Sequence, residues 1–410
     1  MTYYRIEDIC SFAKGASVPR DRMYNKGDYQ YLHYGDLYKG HELYIDIEKP
    51  QKDIPFISAD EKLRDNQFVD DGDIIYILTS ETIEDLGKAL YLSNPNHRVV
   101  VAGTETTIMR VVQDDIVESA WLNYLLQTPR FKKTIRQYVT GMKVFRVHPR
   151  DIGRITVDVP LLEKQQKTVS ILDAIHKKIR INQQINDYLA AFADALFDNA
   201  LKDTNDWTRA TLLDIANYKN GLAMQKFRPE GDDPGLPVLK IKELSQGACE
   251  ADAERCRSDI DESVRIHDGD LVFSWSGTLL LDFWTGGDAG LNQHLFKVTS
   301  DKYPSWFFYM WTKYYMRKFI ALAKDRATTM GHIKRSALGE ARVLIPPNGT
   351  LDKLSDQMQP VIDQMIGLKV ETRKLGELRD ALLPKLMSGE IDVSSVDVTQ
   401  LNNHLSDYLG

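Results

Sequence analysis

Two stretches of this chain place apolar residues at alternating three- and four-residue steps, the spacing that lines one face of a long helix. In the first, positions 172, 175, 179, 182, 186, 189, 193 and 196 are Leu, Ile, Ile, Asn, Asn, Leu, Ala and Leu. In the second, positions 358, 361, 365, 368, 372, 375, 379 and 382 are Met, Val, Met, Leu, Thr, Leu, Arg and Leu. Each pattern predicts a helix of roughly 35 residues, about 50 Å long. A narrow apolar stripe must be buried on something. The expected partner for each stripe is the other, in an antiparallel coiled coil. Leu172, Ile175, Ile179, Leu189 and Leu196 would then meet Met358, Val361, Met365, Leu368, Leu375 and Leu382. Asn182, Asn186 and Thr372 are polar seam positions that fix register at a cost in stability. The plainer arrangement packs each helix on its own domain, but the shared frame is longer than one domain face needs. Pro384, just past the last seam leucine, and Gly389, placed as a C-terminal cap, predict an abrupt end to the second helix.

The two stripes belong to a longer internal repeat. From about 147 to 196 the chain matches 333 to 382 without a gap, at an offset of 186 residues. Gly153 pairs with Gly339, Pro160 with Pro346, and "DAL" at 194 with "DAL" at 380. Upstream the match continues with gaps: "DICSFAKG" with "DIANYKNG", and "FVDDGDIIY" with "RIHDGDLVF". A period this long means two copies of one domain rather than a solenoid. Before each helical pattern lie short β-type runs ("GDIIYIL", "RVVVAG", "GDLVFSW", "HLFKVTS") followed by one aromatic-rich helical stretch. The fold class is therefore α+β: two similar mixed α/β domains and two long helices, related by a pseudo-two-fold. The expected divisions are 1–160, a first globular domain; 161–203, a central helix; 204–346, a second globular domain; 347–389, a distal helix; and 390–410, an acidic tail.

Composition adds exclusions. The chain has 410 residues, is 43% hydrophobic and 27% charged, and holds three cysteines at spacings that suit neither a disulfide framework nor a zinc site. It shows no run of 18 apolar residues and no secretory N-terminus, so no membrane association and a cytoplasmic location are expected. Walker A, HExxH, GxSxG and CxxC motifs are missing, as is the Asn-Pro-Pro-aromatic motif of amino-methyltransferases. Asp60-Glu61-Lys62 has the D-x-K form of a nuclease triplet, which arises constantly by chance. A binding protein is favoured over an enzyme.

Net charge is −7, which by itself argues against a nucleic-acid partner. Local charge reverses that reading. Residues 130–154 hold eight Lys or Arg against Asp151 alone, and residues 313–342 hold eight against Asp325 and Glu340. The two patches fall at equivalent places in the repeat. Candidate DNA contacts are Lys132, Lys133, Lys143, Arg146 and Arg150 in the first, and His332, Lys334 and Arg335 in the second. A third stretch, "FSWSGTLLLDFWTGGDAGLNQHLFKV", adds Trp275, Ser276, Asn292, Gln293 and His294, side chains able to read base edges. Trp275 fits a core equally well, and His294 fits an ordinary structural histidine.

The sequence resembles the specificity subunits of type I restriction–modification enzymes over nearly its whole length. The signals are "LLEKQQKTVSILDAIHKKIRINQQINDYLAAFADALF", "ELRDALLPKLMSGEIDV" and the Trp275 stretch; the first domain departs from the family in carrying "ILTSETIEDLGK" where a serine-glycine turn is common. The resemblance implies a non-catalytic reader of double-stranded DNA, with one target-recognition domain per half of an asymmetric bipartite site. It implies two methyltransferase subunits on the helices and restriction/translocase subunits recruited to the assembly. S-adenosylmethionine, ATP and magnesium would belong to those partners, with no cofactor in this chain. The rival reading is a coiled-coil scaffold with two protein-binding heads and no DNA specificity.

Overall fold

A computed structural model describes residues 2–38, 40–325, 333 and 335–396, and divides the chain into two compact units. Unit 1 comprises Met1–His176 and Leu378–Gly410; unit 2 comprises Lys177–Glu377. His332 and Lys334, most of the loop around them, and the tail beyond 396 lie outside the described residues.

In unit 1 a sheet runs in the order Cys10–Lys14, Thr107–Val111, Ile74–Ile77, Lys88–Ser93, Tyr44–Asp46. Its pairs are antiparallel except the last. A second sheet runs Phe56–Ile57, Tyr29–Leu32, Val100–Ala102, Phe68–Val69, with the middle pair parallel. Strand Ile74–Ile77 is buried at every position. Successive side chains of a strand point to opposite faces. Ile74 and Tyr76 therefore enter one core with Trp121, Leu122 and Leu126 of helix Ser119–Gln127. Ile75 and Ile77 enter another with Leu32, Ile45 and Val100.

Unit 2 repeats this plan. One sheet runs Asn217–Asn220, Leu295–Thr299, Leu271–Ser274, Leu281–Phe283; the other runs Arg255–Cys256, Leu236–Leu239, Ala289–Leu291, Arg265–Ile266, again with a parallel middle pair. Strand Leu271–Ser274 is likewise buried throughout. Leu271 and Phe273 face Trp306, Phe307 and Trp311 of helix Ser305–Asp325, while Val272 joins Leu239 and Leu291. The repeat seen in the sequence is thus a repeat of topology.

In both units the first strand pairs with the strand that delivers the chain into a long helix. Thr2–Arg5 lies against Thr156–Val159 ahead of helix Leu162–Ala200; Thr208–Thr211 lies against Arg342–Ile345 ahead of helix Asn348–Ser388. Within unit 1, Leu172 is fully buried in one cluster with Leu382, Leu383 and Leu386, and Lys164 pairs with Asp392 at 3.1 Å. Within unit 2, the Asn182 amide donates to Glu371 at 2.7 Å, and Ala193 and Phe197 share a core with Met358, Val361, Ile362 and Met365. Advancing along one helix retreats along the other, so the pairing is antiparallel in each unit. None of the sixteen seam positions is exposed. Burying a seam leucine fully contributes about 1.5–3 kcal/mol.

Two expectations need correction. The helices do not pack on each other alone: Ala193, Phe197, Met358 and Val361 also close the aromatic core of unit 2, against Trp306, Trp311 and Phe319. Nor does Pro384 stop the distal helix, which runs through it to Ser388. A proline removes one intrahelical donor, a modest loss one turn from the end. The terminus is set by Gly389, left-handed at φ 73, whose N–H donates to Leu386 O. Among the described residues, no helix is long and apolar enough to cross a membrane.

Two predictions follow from packing. A Cβ at Gly221 would collide with the carbonyl oxygens of Leu291 and Asn292, and one at Gly15 with that of Gly103. Gly221→Ala should therefore lose about 1–3 kcal/mol, read as a lower denaturation midpoint; an unchanged midpoint would contradict this packing. In unit 1, burial lowers His41 and His176 to about 4, helped by Lys88 and Lys52 for His41 and by Arg379 for His176, which Asp380 opposes. The unfolded chain takes up these protons near pH ~6.5. The stability at stake is thus complete above that value and declines as pH falls toward 4. Melting scans between pH 7.5 and 4.5 should show the decline, flattened in His176→Gln.

Candidate nucleic-acid interface

The doubly buried strand ends at the same place in each unit, and a basic segment is tied to that end by the same bond. In unit 1 the Val147 amide donates to Leu78 O at 3.0 Å; in unit 2 the Ile333 amide donates to Trp275 O at 3.0 Å. Other bonds extend the correspondence. Gly15 N donates to Thr106 O as Gly221 N does to Leu295 O, and Gly103 N to Leu32 O as Asn292 N does to Leu239 O. Strand register then aligns Lys14 with Asn220, Leu78 with Trp275, and Glu105 with His294.

In unit 1 these positions open into a cleft of about 730 Å³, lined among others by Lys14, Thr79, Glu105, Arg146, His148 and Arg150. Arg146 is held by its backbone: it pairs with Thr79 across a short two-stranded sheet and exchanges two 2.9 Å bonds with Thr140. The 140–146 hairpin turns at Gly141, left-handed at φ 97, and carries exposed Lys143 beside Met142, which is 94% exposed. Arg150 is exposed on the short helix Pro149–Gly153, whose start is capped by the His148 ring. Basic side chains on a cleft rim are suited to phosphate oxygens, while groups inside it are suited to base edges.

Lys132 does not join them. It is half-buried in a separate cavity of about 430 Å³, also lined by Lys88, Tyr124, His176 and Arg379. Burial first, then the neighbouring Arg136, lowers its pKa, opposed by Asp85. Lys133 is exposed on helix Pro129–Ile135.

In unit 2 the described residues at the corresponding place are mainly aromatic and polar. The Trp275 indole N–H donates to Asn220 Oδ1 at 2.9 Å, and its ring lies 6.0 Å from that of His294. Gln293 is half-buried beside His294, amide to ring at 3.4 Å. Asn292 and Ser276 face inward: the Asn292 side chain accepts from the His294 amide, and the Ser276 carbonyl accepts from Ser274 Oγ. Arg335 is exposed at the start of helix Arg335–Glu340.

Sequence reasoning passed over Lys14, Thr79, Glu105 and Asn220. A signal existed for two of them: Lys14 and Asn220 immediately precede the glycines shared by "FAKG" and "YKNG". None existed for Glu105, because loops of different length hide its equivalence to His294. Among the described residues, no cluster of His, Cys, Asp or Glu could hold a metal ion.

Residues 1–191 match the family model of the type I restriction modification DNA specificity domain. The type I restriction enzyme MjaIX specificity subunit of Methanocaldococcus jannaschii is 23% identical over 326 residues, 72% of this chain and 74% of that protein. The EcoBI specificity subunit of Escherichia coli is 22% identical over 217 residues, 51% of this chain and 45% of that one. The crystal structure of the type I restriction–modification S subunit from M. genitalium superposes with a TM-score of 0.57 at 15% identity, covering 94% of this chain and 95% of that chain, a likeness of fold.

Proposed function

We propose that this chain, whose residues 1–191 match the type I restriction modification DNA specificity domain, is the sequence-reading subunit of a type I restriction–modification enzyme, with each unit contacting one half of a bipartite duplex target. The observation that carries this reading is the recurrence of one site, at one place in a duplicated fold, with different side chains. Unit 1 offers Lys14, Glu105 and Arg146; unit 2 offers Asn220, Trp275 and His294. Two readers with unlike chemistry accept unlike sequences, so the target is asymmetric. The chain contributes recognition and scaffolding rather than catalysis. Its helices dock two methyltransferase subunits, which hold S-adenosylmethionine, and restriction/translocase subunits with ATP and magnesium join the assembly.

An acidic chain gains little from phosphates on its own. The partner subunits complete the positive surface, and the assembled methyltransferase binds duplex DNA far more tightly than this chain alone. Gel-shift titrations with and without the methyltransferase subunits test this; equal affinity would overturn it. In the complex, neutralising Lys143 or Arg335 should weaken binding on all sequences and reduce the slope of log affinity against log salt by about one per residue. A slope unchanged in both variants would remove them as phosphate contacts. A complex with neither salt dependence nor sequence preference would favour the scaffold with two protein-binding heads.

A further inference from the structure

Glu105 stands out in a cleft with a basic rim. It is the one carboxylate lining the unit 1 cleft, which also holds Lys14, Arg146 and Arg150. Its backbone is left-handed, at φ 57, a conformation that costs a side-chain-bearing residue energy and that glycine adopts freely. The side chain is two-thirds buried and fixed: Thr79 Oγ1 donates to Glu105 Oε2 at 2.7 Å, and Arg146 Nε lies 3.7 Å from the same oxygen. Among the described residues Oε1 accepts no hydrogen bond, and the terminal nitrogens of Arg146 donate none. A carboxylate repels a phosphate, so this pair is not built for the DNA backbone. What it matches is a base pair whose major-groove edge presents two adjacent acceptors followed by an amino donor.

Resting on the sequence-reading function above, we propose that Glu105 and Arg146 together read one G·C pair in the major groove, the carboxylate accepting from cytosine N4 and the guanidinium donating to guanine O6 and N7. The order of these groups separates G·C from A·T in that groove, because A·T places its donor between its two acceptors. Thr79 holds the carboxylate, and the Thr140 hairpin holds the Arg146 backbone, before DNA arrives, which lowers the ordering cost of binding. The counterpart of Glu105 in unit 2 is His294, which accounts for different base preferences at one structural position.

The test is selection from a randomised duplex library by the full chain in complex with its methyltransferase subunits. The wild type should yield a bipartite motif containing a G·C pair whose discrimination falls about tenfold or more in Glu105→Gln, Glu105→Gly and Arg146→Gln, with the other positions kept. The glutamine, which donates as well as accepts, should shift that position toward adenine. Glu105→Gln keeps the backbone geometry and an acceptor for Thr79, and Glu105→Gly relieves the strained backbone, so a change common to both is an effect of the carboxylate and not of folding. An intact motif in all three variants, with at most a uniform loss of affinity, overturns this assignment and leaves the sequence-reading function standing. Failure of the wild type to select any motif overturns both.

Discussion

Each unit depends on the register of a single strand buried on both faces. Ile74–Ile77 and Leu271–Ser274 each send alternate side chains into two separate cores, one beneath the helix and one between the sheets. A slip of one residue would exchange the two sets and empty both cores of their matching shapes, so the register is strongly fixed. The next residue, Leu78 or Trp275, leaves the sheet at the candidate site, and its carbonyl receives the basic segment. Rigidity at the site therefore derives from the core: the loops are anchored to the strand that has the least freedom to move.

The same economy governs the long helices. Their apolar stripes are wide enough to serve two surfaces, and the seam residues of the helix halves in unit 2 complete the aromatic core around Trp306, Trp311 and Phe319. Polar residues interrupt that apolar seam. Asn182 is fully buried; its amide nitrogen donates to the Glu371 carboxylate, which Lys178 also approaches at 3.4 Å, while its Oδ1 has no hydrogen-bond partner among the described residues. A charge-assisted bond between a buried amide and a half-exposed carboxylate adds little net stability, since the amide's lost hydration offsets it. It does penalise any shifted pairing that would leave Asn182 against an apolar neighbour, and so it selects one register.

Much of this was legible in the sequence. The gapless offset of 186 residues gave the helix seams position by position, and the β-runs before each helix gave the class of the domains. What escaped had a physical reason. Pro384 looked like a terminator because proline breaks helix interiors, yet one turn from the end only a single bond is at stake and Gly389 closes the helix instead. Ser276 and Asn292 carry side chains that can read bases, but composition says nothing of direction, and both point inward. Lys132 belongs to a basic run in sequence, while the helix that carries it turns it into a different cavity from Arg146. Glu105 and His294 share a strand register and no sequence similarity at all.

The pairs that match between units and the pairs that differ fall into two groups. Gly72 and Gly269 are both left-handed, and both close the same turn by donating to Leu92 O and Trp284 O. Asp73 and Asp270 both accept, at 2.8 Å, from the backbone three residues earlier, and both are paired with a cation, Arg110 or Lys297. Gly15 and Gly221 both pass within contact of a carbonyl oxygen. These positions shape the backbone, and few side chains satisfy them. Lys14 and Asn220, and Glu105 and His294, lie on that same backbone, yet differ in charge, size and hydrogen-bonding capacity. Their side chains project from a frame that does not rely on them for its own closure. Separation of this kind lets one fold serve two unlike recognition surfaces, because exchanging the chemistry at the site leaves the buried strand, its two cores and the glycine turns undisturbed.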